Sequence, residues 1–149
     1  MSSNLKINNQ KLLQKLLRGM KMSQGRFRLF LVCYNNLTQR QYLIQQLQDS
    51  FSGNLAQLEL DKSVEELYTT ICQQSGKEQP DALMVWGLEF IRNIDQLLIS
   101  MGLAREEFRK NCHFPILLWI DAEVSRKFIR LIPDFASWTS VTVFETPTQ

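Results

Sequence analysis

Three unbroken apolar runs, at residues 29–32, 82–86 and 116–120, are each about the length of a strand and lie far apart in a chain of 149 residues. Consecutive apolar side chains point to both faces of a strand, so each run needs cover on both sides, as a central strand of a parallel sheet has. The segments between the runs must then supply the covering helices. Tyr42, Leu43, Leu47 and Phe51 recur at helical spacing, as do Val64, Leu67, Tyr68 and Ile71. Ile94, Leu97, Leu98, Met101 and Phe108 form one stripe over residues 93–111, with Gly102 tolerated inside it, and Val124, Phe128, Ile129 and Ile132 form another. Thr38 with Gln41 and Ser63 with Glu66 match capping boxes, while Gly53, Gly76 and Pro133 mark stops.

Two further strands are expected. Residues 56–60 alternate with period two, as an edge strand with one polar face does, and residues 141–144 form a last apolar segment. Strands alternating with helices predict right-handed βαβ units. The fold expected is a three-layer α/β domain with a mainly parallel five-stranded sheet and helices on both faces, Rossmann-like in its layering. Its parts are a basic N-terminal amphipathic helix within residues 1–25, a core over 26–145 and a tail over 146–149. At 44% hydrophobic and 21% charged residues, a chain of this length supports one ordinary core.

No apolar stretch approaches the about 20 residues that a membrane helix requires. Three cysteines without a CxxC pair suggest reduced thiols in a cytoplasmic setting, with Cys33 and Cys72 expected as buried small hydrophobes. Charge is unevenly distributed: residues 1–28 carry seven cations and no acid, although the whole chain nets only +2. Leu12, Leu13, Leu16, Leu17 and Met20 set an apolar stripe on a helix over 9–21, with Lys11, Lys15, Arg18 and Lys21 between the leucines. Such an arm has the footprint of a nucleic-acid or anionic-membrane binder, and equally that of the solvated face of a helix packed on its own domain.

Ligands in α/β folds gather at the carboxyl ends of strands. The first such turn reads Cys33-Tyr34-Asn35-Asn36-Leu37-Thr38, with neither glycine nor lysine. It therefore lacks the glycine-rich opening of a dinucleotide site and the Gly-Lys-Ser/Thr core of a phosphate loop. An acidic pair after the first strand and a strand-ending phosphoacceptor aspartate, which a receiver domain needs, are missing too. Tyr34, Asn35, Asn36, Thr38, Glu89 and Asp121 remain as ligand-binding candidates at that edge, Asp121 being also a natural N-cap. Asp81, at the start of its strand, belongs to the opposite edge. His113 beside Cys112 gives no convergent metal set, and no nucleophile elbow is present. The expectation is of no enzyme, no cofactor and no metal.

The basic helix leading into GRFRLFLVCYNN, the run DALMVWGLE and above all PILLWIDAEVSRKFIRLIPDFASW make the chain resemble degenerate P-loop-like domains. These are the inactive STAND modules related to the signal-transduction ATPases with numerous domains, of bacterial type. The resemblance implies a P-loop-NTPase-like fold in which Cys33 to Thr38 corresponds to the phosphate loop without its chemistry. Leu83 to Glu89 would correspond to the strand that carries the Mg²⁺-binding aspartate, with Glu89 the only nearby acid. It further implies a non-enzymatic adaptor or regulatory domain in bacterial signalling or defence, with an effector or repeat-containing protein as partner. Asp134, Phe135 and Trp138 are the partner-binding candidates, and they have an equally good structural account as a hydrophobic lid over the sheet end, with Asp134 bonding amides of its own turn. The alternatives are a nucleotide or small-ligand sensor at the strand edge and a nucleic-acid or membrane binder through the basic helix.

Overall fold

The computed structural model describes residues 2–75 and 78–145. Helix α1 (Ser2–Met22) precedes strand β1 (Arg28–Cys33); α2 (Leu37–Ser50), β2 (Leu55–Glu59), α3 (Leu67–Ser75) and β3 (Ala82–Trp86) follow. A 3₁₀ turn at Leu88–Phe90 leads to α4 (Ile94–Leu103), α5 (Arg105–Asn111), β4 (Pro115–Ile120), α6 (Ala122–Leu131), α7 (Pro133–Ala136) and β5 (Thr139–Val143). All five strands are parallel, in the order β2-β3-β4-β1-β5. This is the three-layer α/β architecture expected. The order differs from both common doubly wound arrangements, 3-2-1-4-5-6 and 2-1-3-4-5.

Side-chain alternation sorts the core into two layers. Leu29, Leu31, Val85, Ile116, Leu118 and Ile120 face the helices α3 to α7, while Phe30, Val32, Met84, Leu117 and Trp119 face α1 and α2. The three continuous apolar runs are thus β1, β3 and β4, covered on both sides. Helix α1 packs on the domain through buried Leu16 and Met20 and begins well before residue 9. Its approach is close: a Cβ on Gly19 would stand 2.9 Å from Phe30 Cε1.

Several local expectations are corrected. Helix α2 is capped by Asn36, not Thr38: Asn36 Oδ1 accepts from the Gln39 amide at 2.8 Å, and Gln39 Oε1 accepts from the Asn35 amide at 2.9 Å. The expected Thr38–Gln41 box does not form; in its place Gln39 reaches the amide before the cap rather than the cap's own. Ser63 and Glu66 form no box, because the Ser63 amide and hydroxyl both turn back to Asp61, and α3 begins only at Leu67. The stop expected at Gly76 lies outside the described residues, as does the tail over 146–149.

The helix expected over 93–111 is two helices broken at Ala104, whose amide donates to Ser100, Met101 and Gly102 carbonyls. The break reorients α5 so that Phe108 enters an aromatic cluster with Phe27 (centroids 5.5 Å apart), Tyr68 (5.1 Å) and Phe135 (6.2 Å). Asp81 lies at the opposite strand edge as expected, where Oδ2 accepts from the Asn54 amide at 2.7 Å and ties β2 to β3.

Cys33 is buried as expected, but Cys72 is exposed, and the second buried thiol is Cys112. Cys72 falls on the outer face of α3, away from Leu67 and Ile71. Burial pushes the Cys33 thiol up and the Cys112 thiol up to about 12, so both are poor nucleophiles. In native protein a maleimide should label Cys72 rapidly and the other two only on unfolding, as mass spectrometry before and after denaturant would read. Equal labelling of all three in the native state would contradict this packing.

Candidate functional site

The helices leaving β1 and β4 cover opposite faces, α2 on one and α6 on the other, so the crevice between the carboxyl ends of these strands is the switch point where ligands collect. The backbone closes across it, the Tyr34 amide donating to the Ile120 carbonyl at 3.1 Å. Tyr34 is only 6% exposed. Its hydroxyl donates to Glu89 Oε1 at 2.5 Å, and Arg40 Nη1 stands 3.8 Å from the same oxygen. The Arg40 guanidinium also lies over the rings of Tyr34 (5.5 Å) and Trp86 (5.6 Å).

Burial, then the hydrogen bond and charge of Glu89, raise the Tyr34 phenol to about 12 in spite of the nearby cation. Gly87, at φ +98°, makes the turn that brings Glu89 back towards β1, and a Cβ there would stand 3.0 Å from the Leu60 carbonyl oxygen. Arg40 Nε and Glu89 Oε2 are buried without a hydrogen-bond partner among the described residues.

Of the ligand candidates, the fold brings Tyr34 and Glu89 together. Asn35 is committed elsewhere, its side-chain amide donating to the Phe144 carbonyl at 2.8 Å. Asn36 is the cap of α2, and Asp121 caps α6, its Oδ1 accepting from the Val124 amide at 2.9 Å. Thr38 is exposed and apart from the trio. Gln39 and Asn9 both bond Glu145, stitching the turn to the end of β5 and to α1. The β1–α2 turn is held by its own chain.

Arg40 lies three residues before Leu43 and seven before Leu47, so its spacing puts it on the inward face of α2, although a charged residue there reads as a solvated one. One turn into α2, it meets the rings of Tyr34 and Trp86, which accept its guanidinium.

The second set of candidates is divided. Phe135 is 1% exposed and belongs to the aromatic core, so it offers no surface to a partner. The Asp134 carboxylate is exposed and stands 3.9 Å from Arg105, while its own turn is closed instead by the Ser137 hydroxyl donating to the Asp134 carbonyl. Trp138 is partly exposed, with the Arg105 guanidinium 5.3 Å above its ring. A shallow groove of about 510 Å³ beside it is lined by Ile99, Leu103, Arg105 and Asp134.

Lys11, Lys15, Arg18 and Lys21 are all exposed on α1. Among the described residues no three histidines, cysteines or carboxylates stand close enough to hold a metal, and no helix is long and apolar enough to cross a membrane. No family model, curated protein or solved structure matches the chain.

Proposed function

We propose that the chain is a non-enzymatic regulatory or adaptor domain that acts by contact with another protein. One observation carries the reading: the polar groups of the β1–α2 turn bond their own chain, and the space above β1 and β3 is filled by Tyr34, Arg40 and Glu89. A nucleotide would have to displace these contacts and would find neither a lysine nor a glycine-rich cradle. The resemblance to inactive STAND modules supplies the proposed setting, bacterial signalling or defence, with an effector or repeat-containing protein as the partner class. Calorimetry with Mg²⁺–ATP and Mg²⁺–GTP tests it. No binding heat and no phosphate release are expected; micromolar binding with turnover would overturn the reading.

A small-ligand sensor is the second reading, favoured by the unpartnered Arg40 Nε and Glu89 Oε2. A sensor would need the trio to open on binding, and Arg40→Met would then abolish the response.

A further inference from the structure

Among the described residues, strand β5 pairs only with β1 and forms one end of the sheet. The Phe144 amide donates to the Cys33 carbonyl, so by alternation Ser140 and Thr142 also turn their backbone groups to β1, and Val141 and Val143 turn theirs to the open edge. Neither outward amide has a partner among the described residues. Exposed edges are ordinarily protected by proline, charge or a bulge. TSVTV has no proline and no charge, and four of its five residues are β-branched. The opposite edge, β2, ends on Glu59.

A groove of about 530 Å³ runs beside this edge, between α1 and the sheet. Leu12, Met22 and Phe30 give it apolar walls, while Lys15, Arg18 and Arg28 give it three cations and no acid. Arg28 is held in place by a 2.6 Å bond to the Ser140 hydroxyl. None of the three has a carboxylate within ion-pair distance among the described residues.

We propose that the β5 edge and this cationic groove bind an extended acidic segment of a partner protein as a sixth strand. A strand added there directs alternate side chains to the two faces. Those towards α1 meet Lys15, Arg18 and Arg28 and are acidic; the alternate ones lie over Val141 and Val143, which are 49% and 56% exposed, and are apolar. A second copy of this chain is disfavoured as occupant because pairing two β5 edges brings two sets of these cations together. Nucleic acid would match the charge but would use neither the outward amides nor the valines. The proposal rests on the protein-contact reading and names its surface.

The probe is a capped peptide of about eight residues alternating glutamate and valine, long enough for the ~17 Å of a short strand. Its lysine–valine counterpart and a DNA duplex are the controls, followed by NMR of the full chain. The acidic peptide should shift and protect the Val141 and Val143 amides. Affinity should fall by at least about tenfold in Val141→Pro, which removes one outward donor, and in Arg18→Glu, an exposed change that keeps the fold testable if the proline variant misfolds.

Equal binding of the lysine peptide, or acidic-peptide binding unchanged in Arg18→Glu, would overturn the proposal. So would steeply salt-dependent DNA binding that leaves both valine amides unmoved, or dimerisation through β5. Nucleotide turnover would remove the adaptor reading without altering this measurement, so the two failures are distinguishable.

Discussion

Phe135→Ala should lower stability by about 3–5 kcal/mol, the range for emptying a fully buried phenylalanine site. The ring is 1% exposed and touches Phe27, Phe108, Phe128 and Trp138 at centroid separations of 6.1 to 6.3 Å, so its loss opens a void where both α5 and α7 dock. Those neighbours belong to different elements, which limits how far the site can collapse. Trp138→Ala, three residues on, should cost about 1 kcal/mol, because its ring is 42% exposed and rests against Phe135 and Arg105. Urea unfolding followed by circular dichroism measures both, with the midpoint moving at constant slope. A loss below about 1 kcal/mol for Phe135→Ala would show that Phe135 is not the core residue described here.

Removing one member of the Tyr34–Arg40–Glu89 trio should be almost as damaging. Arg40→Met keeps the apolar stem over Trp86 but leaves the Glu89 carboxylate, 12% exposed, without its cation. A loss of about 3 kcal/mol is expected, the lower end for a broken buried pair because the charges stand 3.8 Å apart. Glu89→Gln should cost a similar amount, and the double variant less than the sum, since neither charge is then left alone.

The trio also sets an alkaline limit. The Tyr34 phenol is raised to about 12 in the folded state against an ordinary 10, so its contribution is complete below pH 10 and is lost as pH rises from 10 through 12. Glu89→Gln leaves an amide oxygen able to accept the same hydrogen bond and removes the charge that raises the phenol. Its phenolate absorbance should therefore appear at lower pH, and this part of the alkaline decline should shrink. An unchanged tyrosine titration would show that Glu89 does not govern this hydroxyl.

The layers were legible in the sequence because burial on both faces leaves an unbroken apolar run, and 29–32, 82–86 and 116–120 are strands for that reason. Helix starts were less legible. Asn36 and Thr38 are both competent caps, and the choice between them depends on where the β1 backbone releases the chain after the Tyr34–Ile120 bond, a contact between distant segments. The break at Ala104 falls two residues after Gly102, a weak helix former visible in the sequence although tolerated within a helical stripe, and the docking of Phe108 into the aromatic cluster sets the direction in which α5 leaves.

At the candidate site, Tyr34 and Glu89 could be named from their positions at strand ends. Arg40 shares the helical stripe of Leu43 and Leu47, but nothing in the sequence shows that Tyr34, Trp86 and Glu89, from distant segments, meet above it. Phe135 and Trp138 share a segment and a chemistry, and what separates core from surface between them is a single helical turn.

The position of β1 between β4 and β5 has a consequence for how the chain folds. Leu29 is paired on one side with Ile116 and on the other with Thr139, so both partners are made long after β1 itself. During synthesis β1, buried on both faces in the finished sheet, waits uncovered, while β2, β3 and β4 can pair in order. Long-range parallel pairing of this kind slows folding and prolongs exposure of apolar edges. An inner strand whose two neighbours both come late is thus an aggregation hazard in the nascent chain.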